Sequence, residues 1–526
     1  MPAYFQPWFT RIRRLPAHLW VVLGLIVLAA LLRTLGYFGG DNGLWNDEAN
    51  WVLRMAKGQS GGGIRPPAYV WLNKVLIAWH PSEAALRSSS WIAGLASVPL
   101  FYAVARRAGL DRITTAFGLF LLAIHPWAVA YAKEWKPYGL ELTAHLVVAV
   151  VTYGYARRPS WKSLLVLAGT CAASVLFAWS VVFQFPGIFL LAVATQYRSR
   201  NWKQLGLTGG VALAGAIGIV AMHHDRLGRM LRGGLGSSKF WGEKYGVFYL
   251  VKGDTLGKLR WQAEQSWNLA RFPYEVKAFW DESGHVSHAF GIVGGTLALA
   301  GIVVLCVRRN GVGLAIWVLP WLMTLVANWL GLWPYGVFRT NVYLLIYPLW
   351  LGLYTVSSVG TWLAQRKQVA WYRNEWLAPA LALVVALPFV PYDLHYFRYK
   401  DVATNAYSSS LGRSLATIRA NTPPGQRVQV LLDGYACGTA QYYLKYHPEF
   451  KELGPWFRKY AHMMCSNNSV ADLSRRVMRL GARPSWVITA RPLSAEPMLA
   501  FLRKHCHLDY SADLPTPDTL TLCRPK

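Results

Sequence analysis

Long uncharged runs recur along this 526-residue chain, separated by short basic or polar connections. Their lengths match what a helix needs to cross a bilayer, about 20 residues rising roughly 1.5 Å each. The pattern predicts spans at 18–38, 88–106, 113–131, 138–156, 163–181, 183–197, 204–223, 286–307, 312–332, 342–363 and 377–393. The sixth run is short, and Gln184 and Pro186 interrupt it. A single cleaved signal peptide does not account for the pattern, because the first run is longer than an h-region and many others follow. The fold class expected is an α-helical polytopic membrane protein with about eleven transmembrane helices.

Three longer pieces interrupt the alternation, at 39–87, at 224–285 and from 394 to the end. The first reads as one or two short amphipathic helices lying along the membrane surface, carrying Trp45, Trp51, Trp71 and Trp79, with Gly61-Gly62-Gly63 as the step between them. In the tail the periodicity changes. A helix to Ala420 precedes a Pro423-Pro424-Gly425 turn, and a strand from Arg427 to Asp433 follows. Helices at 439–446 and 471–480 and strands at 485–489 and 519–523 come next. Such alternation predicts a small α/β domain over 394–526, behind a membrane domain over 1–393.

Composition supports this division. The chain is 54% hydrophobic and only 15% charged, which excludes an ordinary soluble enzyme. Its net charge of +29 is first a matter of topology, not of nucleic-acid binding. The amino terminus (Arg11, Arg13, Arg14) and the short connections Arg106 to Arg112, Arg157 to Lys162, Arg198 to Lys203, Arg308-Arg309 and Arg366 to Arg373 are all basic, as cytoplasmic segments are. An odd number of crossings from a cytoplasmic amino terminus puts the tail domain outside the cell or in the periplasm. Loop 224–285 lies on that side too, yet carries ten Lys or Arg against seven acids. Either it faces anionic head groups or glycans, or a long loop crosses regardless of its charge. Four of the six cysteines, Cys437, Cys465, Cys506 and Cys523, fall in the tail, where an oxidising compartment permits two disulfides in any of three pairings.

Candidate chemistry gathers at the outer helix ends. Asp47 and Glu48, just past the first span, suit general-base work on a hydroxyl or amine acceptor. Taken alone, an acid pair in the first turn of a surface helix needs no function, since the helix dipole favours it. Arg65, held before Pro66-Pro67 and followed by Tyr69, suits a phosphate contact. Between the third and fourth spans runs Tyr131-Ala-Lys133-Glu134-Trp-Lys136-Pro137-Tyr138, whose lysines either bind phosphate oxygens or snorkel to head groups. Glu141, about one turn into the fourth span, is costly there and so is expected to be functional or paired, with Lys136 and His145 as the nearest candidate partners in sequence. Arg339 and Tyr343 open the tenth span, where Arg339 is a phosphate contact or an interfacial anchor. No glycine-rich phosphate loop follows a strand, so no nucleotide is expected. No cofactor is assigned; a divalent metal on His223-His224-Asp225, or on His285 with His288, is the lesser reading.

These features occur in a recognisable order: Asp47-Glu48, Pro66-Pro67-Ala-Tyr69, Leu86-Arg87-Ser-Ser-Ser90, then His125-Pro126 to Tyr138, and again around 339–350. In this the chain resembles the GT-C superfamily of integral-membrane glycosyltransferases, in the branch of protein O-mannosyltransferases and aminoarabinose transferases. The resemblance implies a bacterial inner-membrane enzyme that takes a sugar from a polyprenyl phosphate and passes it, with inversion, to a glycan, lipid or protein acceptor on the outer face. It puts the base at Asp47 with Glu48 beside it and matches Arg65, Tyr131, Glu134, Lys136 and Tyr138 to motif positions of the family; together with the residues' own chemistry this gives donor-phosphate contacts at Arg65, Lys133, Lys136 and Arg339, and supporting roles at Tyr69, Tyr131, Glu134, Tyr138, Glu141 and Tyr343. Lys136 stands where the family carries arginine, which keeps the charge and loses the planar fork. A transporter or flippase of a lipid-linked sugar would share the spans and the basic outer face. Internal repeats or broken helices at mid-membrane would favour it, and no clear repeat is present. A noncatalytic envelope scaffold is the third reading.

Overall fold

The computed structural model describes residues 16–35, 37, 44, 46–59, 66–231, 236–251, 253–275, 285–365, 409–466, 470–479, 485–489, 500–513 and 519–525. Helices account for most of them. They divide between two compact units, one formed by 1–33 with 90–392 and the other by 34–89 with 393–526.

Eight helical stretches among the described residues are long and apolar enough to cross a membrane. In chain order the helices up to the tail are α1 (Ala17–Thr34), α2 (Asn46–Ala56), α3 (Pro67–Trp79), α4 (Glu83–Arg107), α5 (Arg112–Ile124), α6 (Pro126–Ala130), α7 (Tyr138–Arg157), α8 (Trp161–Phe177), α9 (Phe185–Arg198), α10 (Trp202–Leu231), α11 (Gly236–Tyr245), α12 (Thr255–Arg271), α13 (His285–Val307), α14 (Leu319–Trp329) and α15 (Ile346–Gln365). Leu213 and Ile217 on α10 and Val303 and Val307 on α13 are exposed, as lipid-facing positions are. The chain is a multi-pass membrane protein.

The third and fifth expected spans are shorter than their apolar runs. α5 stops after 13 residues at Ile124, where the sequence predicts a helix to 131. Pro126 has no N–H to give Leu122, and the His125 side chain accepts the Trp127 N–H, so the last carbonyls of α5 lose their donors. Arg33, buried on α1, supplies them: its guanidinium donates to Leu122 O at 3.0 Å and to Ala123 O at 2.9 Å. α8 likewise ends at Phe177, and a 3₁₀ segment, Trp179–Gln184, leads into α9. The predicted eleventh span, 377–393, lies outside the described residues, as does the Gly61-Gly62-Gly63 step. Where one or two short helices are expected in 39–87, the structure has two, α2 and α3.

The second unit contains the tail domain: α16 (Ser409–Ala420), β1 (Val428–Leu432), α17 (Gly434–Lys445), α18 (Gly454–Tyr460), β2 (Ala461–Cys465), α19 (Val470–Met478), β3 (Ser485–Thr489), β4 (Cys506–Asp513) and β5 (Thr519–Pro525). Strand order is β2-β1-β3-β5-β4, parallel from β2 to β3 and antiparallel at β5 and β4. Leu431, Val487, Cys523, Cys506, Leu502 and Val477 of α19 form its core. The α/β expectation holds, with two strands, β2 and β4, beyond those read from the sequence. Of the three possible pairings the structure has Cys437–Cys465, joining α17 to β2, and Cys506–Cys523, joining β4 to β5.

Candidate functional site

The acid pair opens α2, an amphipathic helix with both carboxylates in its first turn. The two acids differ in surroundings. Glu48 is fully buried and takes a two-pronged contact from Arg87, Nη2 to Oε2 at 2.7 Å and Nε to Oε1 at 3.3 Å, with Arg87 also buried. Asp47 is half-buried. Arg87 was not among the candidates from sequence. The signal was present: a guanidinium one turn into an apolar helix requires an anion, and the nearest preceding acids are Glu83, Glu48 and Asp47.

The same unit gathers a second set of contacts around Glu83, at the start of α4. Tyr443 Oη donates to Glu83 Oε1 at 2.9 Å, and His447 Nε2 donates to Oε2 at 2.9 Å. His447 Nδ1 accepts from Glu449 N, so a single ring proton sits on Nε2, facing the carboxylate. Tyr442 Oη donates to Pro81 O at 2.7 Å, and Thr439 Oγ1 donates to Leu44 O at 3.2 Å. Burial pushes the Tyr442 and Tyr443 phenols well up, so both remain donors at neutral pH. Tyr69 is buried on α3, and Asn73 Nδ2 donates to its carbonyl at 2.7 Å. Arg65 lies outside the described residues.

In the first unit the stretch Tyr131 to Tyr138 is a tight connection from α6 to α7, and every residue of it is buried. That excludes head-group snorkelling for Lys133 and Lys136, which are 5% and 1% exposed. The loop lies hard against α4. A Cβ on Gly94 would collide with Ala132, and one on Gly139 would come within 3.1 Å of Ser90 O. Ser90 Oγ donates to Lys136 O at 2.7 Å, and the Tyr131 and Tyr138 rings meet edge to face at 5.1 Å.

Glu141 is buried on the first turn of α7. Neither candidate partner pairs with it directly: its side-chain neighbour is Ser180, which in turn bonds His145 Nε2 at 2.9 Å. His145 Nδ1 bonds the Tyr347 hydroxyl, and its ring stacks on Tyr343 at 4.6 Å. The sequence spacing suggested a pair; the structure makes a chain, because the break between α8 and α9 inserts Ser180 there. Arg339 is half-buried at the start of the 3₁₀ segment that carries Tyr343, with its guanidinium 5.8 Å from the ring centres of both Trp241 and Phe338.

Of the residues named for a metal, His288 is engaged with Arg271 and Glu275. The side chains of His223, His224, Asp225 and His285 lie outside those described. Among the described residues no three His, Cys, Asp or Glu cluster as ligands.

No protein-family model matches the sequence, and no curated protein matches it. Solved structures do. The chain is similar to ArnT from Cupriavidus metallidurans. The crystal structure in the apo state has 15% identity and a TM-score of 0.43, covering 96% of this chain and 97% of that one. The structure bound to undecaprenyl phosphate has 16% identity and a TM-score of 0.41, covering 96% and 98%.

Proposed function

We propose that this chain is an inverting glycosyltransferase that moves a sugar from a polyprenyl-phosphate donor to a glycan, lipid or protein acceptor on the outer face of a bacterial inner membrane. Its amino terminus is then cytoplasmic and its tail domain lies on the far side. The observation that carries the reading is the division between adjacent acids: Glu48 is committed to Arg87, while Asp47 beside it keeps partial exposure.

Asp47 takes the proton of an acceptor hydroxyl or amine. The acceptor attacks the anomeric carbon on the face opposite the phosphate, the C1–O bond to phosphate breaks, and polyprenyl phosphate leaves with both bonding electrons. Cations must meet the charge that develops on that oxygen. Lys133, Lys136 and Arg339, with Arg65, are the candidates, and the burial of Lys133 and Lys136 makes each charge count for more than it would in water. Tyr69, Tyr131, Glu134, Tyr138, Glu141 and Tyr343 support them. No step is assigned to a cofactor.

Asp47→Asn tests the reading. Transfer from a polyprenyl-phosphate sugar to membrane extracts is expected to fall by at least about 100-fold, with the thermal unfolding of the detergent-solubilised protein unchanged. If the Asp47→Asn protein is stable and transfers at the wild-type rate, the base is removed and the mechanism with it.

A further inference from the structure

The tail domain holds a cavity that the transfer reading does not use. It has a volume of about 270 Å³ and lies between α19 and the β1–β2 edge of the sheet, lined by Gln429, His462, Met464, Asp472, Arg475, Arg476 and Arg479. Asp472, Arg475, Arg476 and Arg479 are spaced i, i+3, i+4 and i+7, which puts all four side chains on one face of the helical turn. Asp472 holds two of the arginines, Arg476 Nε at 2.9 Å and Arg475 Nη2 at 3.7 Å. Arg479, just past the end of α19, is exposed, and among the described residues it forms no ion pair. Across the cavity Gln429 and His462 are register partners on β1 and β2. Ser485 donates to Gln429 Oε1 at 3.1 Å, which leaves the Gln429 amide NH₂ as the group for a ligand.

The charge balance defines the occupant. Three guanidiniums against one carboxylate leave a formal excess of two positive charges around a polar cavity. A phosphate monoester, close to a dianion at neutral pH, matches that excess, and its oxygens match the planar donors of arginine. A preference for cations near a helix C-terminus accounts for arginines on this turn, but not for the cavity they enclose with His462 and Gln429. We infer that this cavity is a binding site for a phosphate monoester group, with Arg476 and Arg479 as its main contacts. The inference does not depend on the transfer reaction.

The test uses the full-length protein in nanodiscs, titrated calorimetrically with inorganic phosphate and with a hexose 6-phosphate. Saturable binding in the millimolar range or below is expected, weakened about tenfold by Arg479→Gln and by Arg476→Gln. Arg479 is exposed, so its substitution tests the site even if Arg476→Gln disturbs the ion pair with Asp472. Repeating the titration in phosphatidylcholine nanodiscs with and without phosphatidic acid separates the sources. Competition by phosphatidic acid identifies a lipid head group, and hexose 6-phosphate binding without such competition identifies a soluble phosphosugar. The wild-type protein binding neither probe, or binding that both variants leave unchanged, overturns the proposal.

Discussion

A carboxylate that accepts a proton during a reaction must be within reach of the acceptor. Glu48 is fully buried against Arg87, whereas Asp47 beside it keeps partial exposure, and that separates the two. Glu48 and Arg87 are both buried, so each is the condition for the other's charge. Removing one partner leaves an unmatched buried ion: Glu48→Gln or Arg87→Met should each lower stability by about 3–5 kcal/mol, read as a fall in the melting temperature of the solubilised protein. Glu48→Gln with Arg87→Met should recover much of that loss. A double variant as unstable as the sum of the singles would show that the pair is not coupled. The acids could be found in the sequence because their position after the first apolar run is unusual. Their separate roles could not, because the deciding residue lies 39 positions on, where local patterning has no reach.

Among the elements, the connection from α6 to α7 is closely packed. It carries Lys133, Glu134 and Lys136 and is yet buried throughout, and α4 makes room for it by carrying glycine at 94. Gly94→Val should push the loop off its seat, costing roughly 1–3 kcal/mol in overpacking and lowering transfer through the displaced Lys133 and Lys136. Equal activity and melting temperature in that variant would argue against a fixed loop. Element types were well legible here: the long spans, α2, α3 and most of the tail domain follow directly from periodicity. The ends of α5 and α8 were not. An apolar run continues past both, and it is the backbone, through Pro126 at one and a 3₁₀ turn at the other, that stops the helix. Two strands were missed: β2 (Ala-His-Met-Met-Cys) carries weak alternation and is defined by its neighbours in the sheet, whereas β4 (Cys-His-Leu-Asp-Tyr-Ser-Ala-Asp) alternates throughout, so its signal was present in the sequence.

For the whole molecule, the cysteine arithmetic becomes a definite map. Peptide mapping under non-reducing conditions should return Cys437–Cys465 and Cys506–Cys523, with Cys171 and Cys306 as free thiols. Any crossed pairing would contradict the tail fold.

The contacts around Glu83 also bear on the order in which the chain is made. Glu83, Pro81 and Leu44 are translated early, while Tyr443, His447, Tyr442 and Thr439, which hold them, emerge some 360 to 395 residues later. The segment carrying Asp47 therefore spends most of synthesis without the groups that fix it, and its pairing with α17 closes one of the longest loops in the protein. A chain cut after 408 should insert its spans yet leave α2 and α3 open to protease, whereas the full chain protects these two helices. The acid pair, though near the start of the sequence, belongs to one of the last parts of the protein to fold.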